Sequence, residues 1–327
     1  MKNLFLLLGV AAMITATFVS CEILDPGVPG QLVPLTVDED ATLPSISVNG
    51  TQLHAETFGN PTDPMLVILH GGPGGDYRGM LKCKKFAEDG FFVVFYDQRG
   101  SGLSKRHSKE VFYSEKIFID DLDAVIKYYR RPGQKVMLMG LSWGAMLATG
   151  YVNTYPGEIS GVVMMEPGGF IWQDAEAFIK RQRSSDVMSE GINDVLYMDQ
   201  IITSSDHILL DYKFGLMAAF ENTEGNKLGN AGPTPSWRSG AVCNAAAFDI
   251  VQRHPFDFTT NLSQYRTKVL FTYGELDVAY GKAHAELVSS AYPNVQLVEI
   301  KGCGHEIPYH GFETFYPIAK AYLNTIK

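Results

Sequence analysis

The chain has 327 residues, 46% of them hydrophobic and 19% charged, and a formal net charge of −9. That apolar content excludes an intrinsically disordered chain, and the length suits one large domain or one domain with an insertion. The acidic balance and the lack of any basic run speak against a nucleic-acid partner.

Residues 1–20, MKNLFLLLGVAAMITATFVS, place one Lys before an uncharged apolar run. The run is short for a spanning helix and fits an export signal. It leads through Phe18-Val19-Ser20 into Cys21. Small residues before a Cys are similar to the bacterial lipoprotein signal, in which that Cys is acylated and becomes the N-terminus. Phe18 departs from the usual Leu, and an ordinary signal peptide with a chance Cys is the alternative. The expectation is a protein lipid-anchored through Cys21 in a bacterial cell envelope, facing the periplasm or the cell surface. Residues 21–42, with their Pro, Gly and acids, would be the tether. Cys83, Cys243 and Cys303 remain, enough for one disulfide at most, with the pairing open. Neither a Cys-x-x-Cys nor a His-x-x-x-His pair occurs, so no metal is expected, and no cofactor either.

From residue 43 on, short apolar runs alternate with helical stretches. Ser45–Gly59 alternates about Asn49-Gly50, a strong hairpin signal. Met65–Leu69, Phe91–Tyr96, Val136–Met139 and Gly161–Met165 read as strands buried on both faces, the mark of a parallel sheet. Helices are predicted over Tyr113–Tyr129, with Ile117, Ile119, Leu122, Val125 and Ile126 near helical spacing, and over Trp143–Tyr155. Residues 170–262 have few strand-like runs and several amphipathic ones, such as AEAFIKRQ and HILLDYKFGLMAAF. Strands at Lys268–Tyr273 and Val295–Ile300, a helix near Lys282–Ala291 and a last helix from Phe312 resume the alternation. The predicted organisation is an α/β core over 43–169 and 263–327, interrupted by a helical cap over 170–262.

Gly140-Leu141-Ser142-Trp143-Gly144 is a Gly-x-Ser-x-Gly motif between a predicted strand and a predicted helix. Such a turn is sharp, and its glycines let neighbouring backbone pass close by, so the Ser hydroxyl stands proud of the sheet. A hydroxyl needs a base, and the base needs an acid to hold its tautomer. His305, in the loop after Val295–Ile300, and Asp277, just past the strand ending at Tyr273, supply them in the order Ser142, Asp277, His305. His70-Gly71-Gly72-Pro73-Gly74-Gly75 follows Met65–Leu69 directly, so the N–H groups of Gly72 and Trp143 are assigned to an oxyanion hole.

The segments HGGPGG (70–75), DQRGSGLS (97–104), GLSWG (140–144), GELD (274–277) and GCGH (302–305) resemble the α/β-hydrolase superfamily. Together they are most similar to the proline iminopeptidase family of serine aminopeptidases. The resemblance implies an α/β-hydrolase fold with an inserted helical cap, and it places nucleophile, acid and base on Ser142, Asp277 and His305. Two departures stand out: Leu141 replaces the family's usual second elbow Gly, and 170–262 holds no Trp-x-x-Trp-Glu segment of the kind that binds the substrate's free α-amino group.

Other residues carry competing readings. Glu275 rivals Asp277 as acid, and His284 and His310 rival His305 but read as surface residues. His70 reads as shaping the oxyanion loop by hydrogen bonding. Asp97 and Arg99 read as an ion pair that fixes their loop, and Cys303 as packing beside the base. Glu166, after Gly161–Met165, either binds a substrate cation or caps a turn. The expected function is a serine hydrolase acting through an acyl-enzyme, with a short peptide or other small acyl compound as substrate. An aminopeptidase releasing N-terminal residues comes first, a small-molecule carboxylesterase second, and a non-catalytic lipid-anchored binding protein third.

Overall fold

The computed structural model describes residues 25, 27–182, 206–221 and 226–327. The expected signal peptide and Cys21 lie outside the described residues, as does part of the expected cap. Among the described residues, no helix is long and apolar enough to cross a membrane.

One eight-stranded sheet organises the chain, in the order β1-β2-β4-β3-β5-β6-β7-β8. The strands are β1 (Ser45–Val48), β2 (Thr51–Phe58), β3 (Met65–Leu69), β4 (Phe92–Tyr96), β5 (Val136–Leu141), β6 (Gly161–Met165), β7 (Val269–Gly274) and β8 (Val295–Ile300). The β1–β2 and β2–β4 pairs are antiparallel, and the remaining pairs are parallel. The first pair is the expected hairpin. Asn49 and Gly50 sit at φ +44° and +71°, the two left-handed positions that a type I′ turn demands.

Every residue of β3 to β7 is buried. Met65, Val67 and Leu69 face one apolar layer, while Leu66 and Ile68 face another. The first layer is covered by α1 (Lys116–Tyr129) and α2 (Trp143–Thr154). The second is covered by the 3-10 run Arg78–Asp89 and by the C-terminal helix, Phe312–Asn324. This two-sided burial is why these strands read as continuous apolar runs rather than as alternating ones.

Between β6 and β7 the described chain forms α3 (Trp172–Gln182), α4 (His207–Glu221) and α5 (Ala241–Arg253). Sequence periodicity does not single out α5, because nearly its whole surface is buried: Ala241 to Ala247, then Ile250 and Val251. After β7 come α6 (Gly281–Ser289) and, after β8, α7 (Phe312–Asn324).

The expected tether does not extend to residue 42. Val33, Thr36 and Val37 are buried. The Val37 N–H donates to Leu103 O at 2.8 Å, and Arg238 Nη1 donates to Pro34 O at 2.8 Å. Valines at 33 and 37 give this stretch an apolar face that a solvated linker lacks.

Candidate active site

Ser142 stands alone between the end of β5 and the start of α2, at φ +52° and ψ −119°. A non-glycine residue with positive φ is strained and persists only where its surroundings fix it. Here the flanking glycines do so. A Cβ on Gly144 would lie 2.1 Å from Leu69 O, and one on Gly140 would lie 2.4 Å from the Gly144 carbonyl carbon. The Ser142 N–H donates to Met165 O at 2.7 Å, tying the turn to the end of β6. Leu141, which replaces the usual Gly, is buried at the strand end and does not disturb the turn.

The glycine loop after β3 packs against this elbow: a Cβ on Gly71 would sit 3.4 Å from Ser142 Cβ. Gly72 takes φ +129°, which its lack of a side chain permits. His70 shapes the loop, as expected. Its Nδ1 donates to Gly71 O at 2.8 Å, and its Nε2 accepts the Gln98 N–H at 2.9 Å. Both ring nitrogens are engaged, which leaves no free one to act as a base. Gln98 joins loop and elbow, donating to His70 O and accepting from Trp143 Nε1, both at 2.9 Å. Trp143 opens α2, so its N–H has no partner one turn back.

Asp97 and Arg99 do fix the DQRGSG loop, but not by pairing with each other. Asp97 pairs with His54 Nδ1 at 2.8 Å and accepts the Leu103 N–H at 2.8 Å. Arg99 pairs with buried Asp121 of α1 at 2.6 and 2.8 Å. The ion pair expected within the loop is thus replaced by two longer-range pairs, one to β2 and one to α1.

His305 follows β8 and is 7% exposed. Its Nδ1 donates to Glu166 Oε2 at 2.6 Å and lies 3.5 Å from Asp277 Oδ2. The Asp277 Oδ1 accepts the N–H groups of Ala279 and Tyr280, both at 2.9 Å. Burial alone would lower the imidazole's pKa, but the two carboxylates beside it outweigh that and raise it well above the usual histidine value.

Asp277 is therefore beside the imidazole, whereas the rival Glu275 is exposed and pairs with Lys301 at 3.0 Å. Glu166 is neither a cation-binding group in the cavity nor a simple turn cap. It is fully buried, and its second oxygen accepts the Gly274 N–H. The signal for it is positional: Glu166 is the first residue past β6, the strand beside β7, so its side chain emerges next to that of the acid that follows β7.

His284 is buried rather than on the surface, and its Nε2 bonds Gly168 O at 2.7 Å. His310 reaches Gly232 O at 3.2 Å. Neither takes the place of His305 in the cavity that holds Ser142. Cys83, Cys243 and Cys303 are all free and buried. Burial pushes the Cys303 thiol up to about 12, in keeping with a packing role.

Glu166, Asp277 and His305 each present a ligand-type atom within 4.8 Å of the others. One imidazole and two carboxylates could in principle hold a cation. Here, however, Glu166 and Asp277 also accept backbone N–H groups, and the imidazole N–H already lies between them.

Ser142, His305, Gly71 and Gly72 line one cavity of about 470 Å³, within the range of small-ligand sites. Asp76, Glu306, Arg238, Ser239 and Phe214 line it as well, the last three from the cap. Asp76 is occupied, accepting Ser236 Oγ at 2.5 Å and the Trp237 N–H at 2.7 Å. For Glu306, burial pushes the carboxyl pKa upward, and the nearby imidazoles of His305 and His310 offset it only in part.

A mostly parallel sheet with a serine elbow after its fifth strand, an imidazole after its last and a helical cap over the crevice defines an α/β-hydrolase. The family model described as serine aminopeptidase, S33, matches residues 60–310, and the chain belongs to that family. Among curated relatives it is 25% identical to a proline iminopeptidase of Heyndrickxia coagulans, over 86% of this chain and 98% of that one. It is 27% identical to a proline iminopeptidase of Thermoplasma volcanium, over 73% of this chain and 82% of the relative. It is also 30% identical to epoxide hydrolase B of Mycobacterium tuberculosis, over 36% of this chain and 33% of the relative. Among solved structures, a proline iminopeptidase of Mycobacterium smegmatis shares the fold, with a TM-score of 0.57 at 18% identity, over 86% of this chain and 97% of that one.

Proposed function

We propose that the chain is a serine hydrolase that works through an acyl-enzyme on Ser142 and releases N-terminal residues from short peptides. The observation that carries the reading is the strained Ser142 sharing one cavity with His305 and Gly72. With Nδ1 given to the carboxylates, Nε2 is the ring nitrogen left to meet the Ser142 hydroxyl. In this mechanism Nε2 takes the Oγ–H proton as Oγ attacks the substrate carbonyl. The N–H groups of Gly72 and Trp143 hold the oxyanion. The amine leaves with the proton from Nε2, and water then releases the acyl group by the same route.

An aminopeptidase also needs an acceptor for the substrate's α-ammonium. Among the described residues, Glu306, next in sequence to the base and lining the cavity with a desolvated carboxylate, is the group that fits this task. A bound ammonium would offset that desolvation. Glu306→Gln is therefore expected to raise KM for unblocked amino-acyl arylamides by about 10–100-fold, the loss of roughly 1.5–3 kcal/mol from one charge-assisted hydrogen bond. The same variant should leave hydrolysis of p-nitrophenyl acetate nearly unchanged. N-acetylated arylamides should be poor substrates for the parent protein. Equal turnover of blocked and free amides would favour the carboxylesterase reading, to which the likeness to an epoxide hydrolase also gives room. A protein that no fluorophosphonate labels would be a binding protein.

We also propose that Cys21 carries a lipid anchor in a bacterial envelope, on the strength of the apolar run and the small residues before it. In detergent partition the protein is expected in the detergent phase, and Cys21→Ser should move it to the aqueous phase. A parent protein found in the aqueous phase would refute the anchor.

A further inference from the structure

We infer that Glu166 is the positioning residue that directly holds His305, with Asp277 as a second acid on the same ring nitrogen. This rests on the Ser142–His305 reading above.

Three observations carry it. The Glu166 Oε2 contact to Nδ1 is a short hydrogen bond at 2.6 Å, whereas Asp277 Oδ2 stands at 3.5 Å and has no hydrogen-bond partner. Glu166 is also clamped at both ends of the residue. Its N–H donates to Thr272 O at 3.0 Å, and its other carboxylate oxygen accepts the Gly274 N–H. Finally, Glu166 sits at φ +46°. Among the described residues, the non-glycine positions with positive φ are Asn49 in the hairpin turn, Ser142 and Glu166. Outside that turn, backbone strain is thus spent on the nucleophile and on this carboxylate, and strain of this kind collects at functional sites. The neighbouring ends of β6 and β7 deliver one carboxylate each to the imidazole.

The chemistry follows from charge. When Nε2 takes the Ser142 proton, the imidazolium carries its positive charge between two carboxylates, and Nδ1 keeps its proton, so neither acid is protonated in the step. Both acids favour the imidazolium. Neutral imidazole, the form that can accept a proton, therefore appears only at a higher pH than it would with one acid. Other groups around the cluster are Glu306 and Cys303 on the loop of His305, and Tyr280 and His284 from α6 and the residue before it. Among the described residues, Asp174 and Arg181 of α3 lie near His284, and Arg181 also near Tyr280. None of these is hydrogen-bonded to the ring.

A rival reading makes Glu166 only a staple between the ends of β6 and β7. Glu166→Gln separates the two, because an amide oxygen can still accept the Gly274 N–H while the charge is gone. The measurement is the pH profile of kcat/KM for Glu166→Gln, Asp277→Asn and the double variant. The expected result has three parts. The acid limb moves to lower pH in Glu166→Gln, with a plateau about 10–10³-fold lower. Asp277→Asn keeps at least about 1% of activity. The double variant falls by about 10⁴-fold, the size seen when a triad carboxylate is lost. An unmoved acid limb with an unchanged plateau in Glu166→Gln would overturn the inference, as would the full 10⁴-fold loss from Asp277→Asn alone. If Glu166→Gln fails to fold, Asp277→Asn decides by itself. If the parent protein turns nothing over and takes no fluorophosphonate, the serine-hydrolase reading has failed separately. The His305 titration followed by NMR still reads the inference in that case, since the imidazole of the parent must titrate above that of Glu166→Gln.

Discussion

Ser142→Ala is expected to lower turnover of arylamides and esters by about 10⁶-fold, the scale of losing a triad nucleophile, with the melting temperature essentially unchanged. The elbow's backbone is held by the close passage of Gly140 against Gly144 and Ala145, by that of Gly144 against Leu69, and by the hydrogen bond from Ser142 N–H to Met165 O. None of these contacts uses the hydroxyl. Ala keeps the Cβ and hence the turn, so the effect should fall on chemistry alone. A residual rate above the uncatalysed one is expected, because the N–H groups assigned to the oxyanion survive the substitution. The check is paired: initial rates on both substrate types, and labelling by a fluorophosphonate, which should modify the parent protein and spare the variant. Ser239 lines the same cavity, whereas the Ser236 hydroxyl is committed to Asp76. A Ser142→Ala protein that retains more than about 1% of its activity, or that still takes the label, would transfer the nucleophile's role to Ser239 and end the proposed mechanism.

Much of the core was legible because its signals are local. Met65–Leu69 and Phe91–Tyr96 are apolar without alternation since both their faces are covered, and Asn49-Gly50 satisfies a turn that few other pairs can make. The elbow was legible for the same reason: its glycines are dictated by backbone contacts within a few residues and one neighbouring strand. What escaped depends on which strand ends become neighbours. Glu166 and His305 are 139 positions apart, and their bond exists only because β6 is placed beside β7. Arg99 finds Asp121 rather than Asp97 because α1 packs over the loop. The packing at 33–37 has no strong local signal, because the Pro, Gly and acids around it carry the composition of a linker, while Val33 and Val37, the apolar residues that bury it, are only two. In the cap no local signal marks the cavity wall: Asp76 recruits residues 236–238 largely through backbone N–H groups, which almost any sequence would supply.

The same logic of distant neighbours governs the largest stability effect expected here, that of Asp211→Ala. Asp211 of α4 accepts Arg106 Nε and Arg238 Nε, both at 2.8 Å, and the Ala241 N–H at 2.9 Å, with its side chain fully buried. Arg106 also donates to the carbonyls of Ser104 and Gly102, and Arg238 to Pro34 O and to Glu39 Oε2 at 3.2 Å. One carboxylate therefore joins the N-terminal stretch, the loop after β4, α4 and the start of α5. Removing it leaves two buried guanidinium groups, of which only Arg238 keeps an acid, and that acid is the partly exposed Glu39. Breaking a buried pair from one side costs about 3–5 kcal/mol, because the remaining charge stays desolvated. At roughly 2–4 °C per kcal/mol, the melting temperature should fall by about 6–20 °C. Lys116→Ala is the control: its pair with Asp120 is solvent-exposed, and such pairs contribute about 1 kcal/mol or less. Because Asp211, Arg238 and Ser239 also line the cavity, KM should rise in Asp211→Ala even well below its melting point. A melting temperature within the range of the Lys116→Ala control would show that the cap is held by its apolar contacts and that this ion cluster only fills space between them. Replacing Arg106, Asp211 and Arg238 together by Met, Leu and Met should recover much of the lost stability. What the single variant exposes is an uncompensated charge, and the triple replacement leaves none behind.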